Sequence, residues 1–126
     1  MARVRELMSK QIVAVSKNAS LGSAIKLMRR AHVSVLPVLE GTTLSGLIGM
    51  EEAEREQERW GNERKLSELR LRLLFAEELD EPERVAKLMV TNKISRLPVV
   101  NNAIEMKCVG IISSTEIARS HKKKIL

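Results

Sequence analysis

Short apolar runs and amphipathic stretches alternate along the whole chain, and their alternation sets the elements. Residues 12–15, Ile-Val-Ala-Val, form a β-branched run that predicts a strand. Asn18, Ala19 and Ser20 follow with capping side chains. Leu21, Ala24, Ile25 and Met28 then recur at helical spacing, which predicts an amphipathic helix over 20–31. Residues 34–39 predict a strand carrying Pro37, tolerable at a strand start or edge because proline has no N–H to donate. Glu40-Gly41-Thr42 reads as a turn, and 44–49 as the second strand of a hairpin. Residues 51–60 form a strongly charged helix that Gly61 ends, with Glu51 and Arg55 spaced for an i,i+4 pair.

The second half repeats the order. A strand is expected over 71–76, and Pro82 stands at the start of a helix over 82–92, where a missing N–H costs least. A hairpin follows, over 96–101 and 106–112 with a loop near Asn101-Asn102, and then a last helix over 114–122. Residues 64–69 (RKLSEL) echo 3–7 (RVREL) as a short helical lead-in. The repeat is visible residue by residue. Residues 25–38 (IKLMRRAHVSVLPV) and 86–99 (AKLMVTNKISRLPV) share Lys26/Lys87, Leu27/Leu88, Met28/Met89, Ser34/Ser95, Leu36/Leu97, Pro37/Pro98 and Val38/Val99. Gly46-Leu47-Ile48 answers Gly110-Ile111-Ile112, with three extra residues in the second connecting loop. Repeats are therefore placed at 1–62 and 63–126. Each is β-α-β-β-α, and each alone is too small for a comfortable core. Two copies that bury their sheet faces against each other would form a pseudo-twofold pair with clefts between the halves.

Composition narrows the classes. At 44% hydrophobic and 30% charged, the chain of 126 residues can fill a core and solvate its surface. Cys108 is the single cysteine and sits in the apolar run Cys108-Val109-Gly110-Ile111-Ile112, so it reads as a buried small hydrophobe, excluding an internal disulfide. There is no run of about 18 apolar residues and no apolar stretch after Met1-Ala2-Arg3-Val4-Arg5-Glu6, so membrane insertion and a signal peptide are not expected and a cytoplasmic location is. Lys and Arg exceed Asp and Glu by 22 − 16 = 6. That excess suits phosphate-bearing ligands or nucleic acid. With Trp60 and Phe75 the only aromatics, however, no stacking platform for nucleic acid exists. Arg119 and Lys122-Lys123-Lys124 read as a solvated helix end, favourable against the helix dipole. With His32 and His121 the only histidines, with no Gly-rich phosphate loop and no ligand-spaced cluster, the residues of an enzyme or a metal site are missing.

The ordered set of Met8-Ser9, Ile12-Val13, the Lys-Leu-Met helix, Leu-Pro-Val and Gly-Leu-Ile, nearly all of it present twice, resembles the CBS domain. The resemblance covers almost the whole chain. It implies an α/β fold of two β-α-β-β-α repeats packed sheet to sheet with pseudo-twofold symmetry. It also implies a module that binds AMP, ADP, ATP or S-adenosylmethionine in clefts between the repeats, without a required metal. Such modules often form homodimers and regulate an attached or partner enzyme or transporter.

The family's ligand motif closes the second hairpin strand: glycine and two apolar residues, then Ser/Thr-x-x-Asp. A carboxylate at that junction can accept from both ribose hydroxyls, and the preceding strand offers backbone groups to adenine. The second copy reads Gly110-Ile111-Ile112-Ser113-Ser114-Thr115-Glu116, with Glu116 where aspartate is usual. The first reads Gly46-Leu47-Ile48-Gly49-Met50-Glu51-Glu52, departing at both Gly49 and Glu52, and its site is expected to be weaker or empty. Ser95-Arg96-Leu97-Pro98-Val99 is similar to the His-Arg-Leu-Pro-Val run of the AMP-activated protein kinase regulatory subunit, whose arginine contacts phosphate. A guanidinium can engage phosphate bidentately. Val35, at the matching place in the first copy, cannot.

The ligand residues expected are thus Arg96, Ser113, Glu116, Ser95, Ile111, Leu97 and, in the first copy, Glu52. Plainer readings stand beside these. Ser113 and Glu116 fit a helix capping box, Arg96 an ordinary surface charge, His32 a surface residue, and Met28/Met89 core packing. Trp60 covers the linker or meets a second copy. The expected function is a nucleotide-sensing regulatory module without catalysis. The alternatives are a protein-interaction or dimerisation module with decayed sites, and a nucleic-acid binder acting through the backbone alone.

Overall fold

The computed structural model describes residues 2–125. Its elements run α1 (Val4–Leu7), β1 (Val15–Ser16), α2 (Leu21–Ala31), β2 (Val35–Glu40), β3 (Thr43–Gly49), α3 (Met50–Trp60), a 3-10 turn (Leu66–Glu68), β4 (Ala76–Glu77), α4 (Pro82–Asn92), β5 (Arg96–Val100), β6 (Cys108–Ser113) and α5 (Ser114–Ile125). The mixed α/β chain divides into two compact units, one of Val13–Leu73 and one of Met1–Ile12 with Leu74–Leu126. Counting copies along the sequence separates 1–62 from 63–126. Packing instead groups the N-terminal lead-in with the second copy's strands and the 63–73 lead-in with the first copy's. Side chains of 121–125, which include His121 and Lys122-Lys123-Lys124, lie outside the described residues.

Each unit holds a three-stranded sheet, β1-β2-β3 or β4-β5-β6, whose first pair is parallel and second antiparallel. Pro37 and Pro98 lie on the central strands, not at edges. Pro37 faces Leu47 and Pro98 faces Ile111. Leu47 N donates away from the hairpin to Arg72 O (2.7 Å), and Ile111 N to Ser9 O (2.9 Å). These are therefore non-hydrogen-bonded pairs, and each proline nitrogen points to the side of β1 or β4. Those strands span only two residues and begin their pairing one position later, at Val38 and Val99, so no ladder bond is lost.

The strands expected over 12–15 and 71–76 are corrected to Val15–Ser16 and Ala76–Glu77. Val13, Val15 and Leu71 pack against the first unit's core and Leu73 is exposed, while only two residues of each strand make ladder bonds. The second hairpin also narrows, to Arg96–Val100 and Cys108–Ser113. Asn101 and Asn102 side chains bond the loop's own N–H groups, and Met106 is left-handed at φ 57°. In the first hairpin Gly41 (φ 62°) makes the tight turn.

Helices begin and end by local chemistry. Ser20 caps α2, accepting from Ser23 N at 3.2 Å, and Pro82 opens α4. Both helices end on a left-handed non-glycine residue, His32 (φ 56°) or Lys93 (φ 52°). The next apolar residue closes the turn, Val33 N to Met28 O and Ile94 N to Met89 O, each at 3.0 Å. The two lead-ins match as well: Arg3 N donates to Glu6 Oε1 (3.1 Å) and Lys65 N to Glu68 Oε1 (3.2 Å).

Leu21, Ala24, Ile25, Met28, Leu36, Val38, Ile48, Ala53 and Leu66 form the core of the first unit. Val85, Met89, Leu97, Val99, Ile112 and Val4 are buried in the second. Cys108 is buried as expected, and desolvation pushes its thiol pKa up. Glu51 and Arg55 do not pair; Arg29 reaches Glu54 instead, at 3.7 Å. Trp60 covers the linker: the Arg64 guanidinium sits 4.4 Å from its ring centroid and that of Arg59 5.3 Å. Among the described residues no helix is long and apolar enough to cross a membrane, and no cluster of His, Cys, Asp and Glu could hold a metal ion.

Candidate functional site

The second hairpin brings the start of β5 beside the end of β6, with Arg96 opposite Ser113. Ser114 N donates to Ser95 O at 2.9 Å, which ties the first residue of α5 to the residue before β5. A cleft of about 430 Å³ opens at this corner. Ser95, Arg96, Ile111, Ser113 and Glu116, named from the sequence, all line it. Leu97 does not: side chains alternate along a strand, and Leu97 turns fully into the core while Arg96 stays half-buried at the cleft.

Ser113 and Glu116 form a reciprocal cap on α5. Glu116 N donates to Ser113 Oγ (3.2 Å), while Ser113 N (2.9 Å) and Ser113 Oγ (3.1 Å) donate to Glu116 Oε1. The cap holds the carboxylate at the strand-to-helix junction and engages one of its oxygens. Oε2 makes no protein hydrogen bond among the described residues.

Sequence reasoning missed Ser9, Gln11 and Arg119, which also line the cleft. Ser9 arrives by a backbone bridge to Ile111, with Ser9 N to Ile111 O at 2.8 Å and Ile111 N to Ser9 O at 2.9 Å. That bridge needs Gly110. A Cβ there would stand 2.6 Å from Met8 Sδ and 2.8 Å from Ser9 O. Arg119 follows Glu116 by three residues, hence on one helix face, a spacing visible in the sequence. Neither Arg96 nor Arg119 joins any of the ion pairs of the described residues.

The first copy's counterpart lies in the other unit. Glu52 lines a cleft of only about 120 Å³ with Ile48, Arg55, Glu56, Leu69, Arg70 and Leu71. Gly49 caps α3 without a side-chain bond, and a Cβ on it would meet Glu52 Oε1 at 3.2 Å. His32 is exposed at its helix-ending position. A third cavity, about 670 Å³, lies between α4 and α5 and is walled by Pro82, Ala86, Met89, Val90, Ile117 and Ala118 among others.

A family profile described as "CBS domain" matches residues 4–56 and again 72–123. The chain is 28% identical over 119 residues to inosine-5'-monophosphate dehydrogenase of Methanocaldococcus jannaschii, covering 93% of this chain and 23% of that enzyme. It spans less than half the length of the first curated relatives it matches. Among solved structures it is similar to the CBS domain pair of protein MJ0100 in complex with 5'-methylthioadenosine and S-adenosyl-L-methionine, with a TM-score of 0.78, 25% identity and 98% of each chain covered. It also shares the fold of CBSX2 in complex with AMP, at a TM-score of 0.79, 22% identity and all of both chains covered.

Proposed function

Because this chain belongs to the CBS-domain family and carries the domain twice, we propose that it is a regulatory module whose ligand is an adenosine-containing nucleotide held in the cleft at β5, β6 and α5. One observation carries the reading: five of the residues marked by sequence, Ser95, Arg96, Ile111, Ser113 and Glu116, line a single cleft of about 430 Å³. Arg96 meets phosphate, Glu116 Oε2 accepts from ribose, and adenine packs against the Ile111 side chain, whose own N–H and C=O are already taken by Ser9. The module regulates an enzyme or transporter in the cytoplasm, performs no chemistry itself and needs no metal.

Calorimetric titration of AMP and adenosine into wild-type and substituted chains tests this. A charge-assisted hydrogen bond contributes about 1.5–3 kcal/mol, so Arg96→Ala weakens AMP roughly 10- to 100-fold and adenosine little. Glu116→Ala weakens both. Equal loss of the two ligands in Arg96→Ala removes the phosphate role, and unchanged affinity in Glu116→Ala removes that residue from the site.

A second reading, an interaction or homodimerisation module with decayed sites, draws on two observations. One Glu116 oxygen is already engaged by the cap, and Val90, on the apolar groove of α4 and α5, is 79% exposed. Under that reading sedimentation shows a dimer that Val90→Glu dissociates, and no adenine compound binds.

A further inference from the structure

The candidate cleft contains two arginines, and the nucleotide reading uses one. Arg96 and Arg119 line the same cavity of about 430 Å³, against a single carboxylate, Glu116, which is already tied to the α5 cap through Oε1. No described carboxylate pairs with either arginine. The cleft therefore carries an excess of one positive charge. Ser95, Ser114 and Thr115 add hydroxyl donors around it.

The first copy shows that this excess is particular to the second. Arg55 and Glu52 keep the three-residue spacing of Arg119 and Glu116. Yet their cleft is near 120 Å³, and its charges balance: Arg55 and Arg70 against Glu52 and Glu56. Val35 stands where the second copy has Arg96, and Ser120 stands where the first has Glu56. Both differences act in one direction, adding positive charge to the larger cleft.

Placement matters as much as sign. Arg96 lies opposite Ser113, and Arg119 is six residues further along the helix that Ser113 caps. At 1.5 Å per residue that is about 9 Å along the axis. That rise separates Arg119 from Ser113, the residue opposite Arg96; with both side chains lining one cleft, two flexible arginine stems can hold consecutive phosphates of one chain, each guanidinium taking its own phosphate bidentately. We infer that Arg119 is a second phosphate-binding residue and that the site prefers a nucleoside di- or triphosphate to a monophosphate. This rests on the nucleotide reading above. By the same charge argument the cationic sulfonium of S-adenosylmethionine is disfavoured here.

The test is calorimetric titration of the full chain, wild type, Arg119→Ala and Arg119→Lys, with ADP, AMP, adenosine and pyrophosphate. Wild type is expected to bind ADP about tenfold or more tightly than AMP. Arg119→Ala removes that difference and leaves AMP and adenosine within about twofold, because a side chain reaching only the outer phosphate does not contact them. Arg119→Lys restores part of the ADP preference. Its unfolding midpoint and that of Arg119→Ala match wild type, since Arg119 is exposed. Equal wild-type affinity for ADP and AMP overturns the inference while leaving the nucleotide reading intact; so does an Arg119→Ala loss shared equally by ADP, AMP and adenosine. Binding of pyrophosphate, lost in Arg119→Ala, without binding of any adenine compound supports the arginine pair and overturns the nucleotide reading instead. No binding of any of the four overturns both.

Discussion

Gly110 decides whether the second hairpin can accept the N-terminal segment. Its hydrogen lies against Met8 and Ser9, where even a methyl group would be within 3 Å of a sulfur and a carbonyl oxygen. Gly110→Ala is expected to destabilise the chain by about 1–3 kcal/mol, the usual range for overpacking. Urea unfolding measures it, and an unchanged midpoint would show that the Met8–Ser9 bridge is not formed in solution. Gly46 stands equally close to Leu71 and Arg72 in the other unit, so two glycines of the repeat have one steric origin. At this scale the sequence was a partial guide. It marked Arg96, Ser113 and Glu116 by position in a repeated motif, and they do share a cleft. The motif position of Leu97 points to the ligand, but strand alternation beside Arg96 turns it inward. Arg119 reads in sequence as a dipole-compensating charge, because a single sequence does not show that its helix face looks toward the cleft.

The helices were the legible elements: apolar spacing with a local start signal marks α2 at Ser20 and α4 at Pro82, and a charged run closed by Gly61 marks α3. The ends of α2 and α4 were less so. His32 and Lys93 take a left-handed conformation that glycine would ordinarily signal, and the bonds from Val33 and Ile94 hold it. The first strand of each copy was misjudged in extent. An apolar run reports which side chains leave water, whereas a strand is defined by backbone pairing, and here a two-residue partner suffices. The α5 cap makes its own prediction. Ser113→Ala removes the hydroxyl that accepts from Glu116 N and donates to its carboxylate, so the ligand-free chain should lose about 0.5–2 kcal/mol. Chemical denaturation checks this. A negligible change would mean that the Ser113 hydroxyl does not stabilise the helix.

For the whole molecule, the repeat mattered more than any single motif. Seven identities between 25–38 and 86–99 made two copies of one β-α-β-β-α unit the simplest description, and the family profile matches both. The copies have nevertheless diverged in charge and cleft size, and that divergence is the reason for proposing the ligand site in the second. Grouping by packing was hidden from the sequence, because the lead-in of each copy joins the other copy's sheet, as the Ser9–Ile111 and Arg72–Leu47 bridges show. The central claim, that this chain binds an adenosine-containing nucleotide, is tested most directly by thermal unfolding against AMP, ADP, ATP, NAD, S-adenosylmethionine and adenosine. A ligand at about 100 times its dissociation constant adds about 2.7 kcal/mol to stability, which for a chain of this size raises the midpoint by on the order of 10 °C. Such a rise is expected with adenine nucleotides, largest for those with two or more phosphates. A midpoint unmoved by every compound in the series would contradict the central claim.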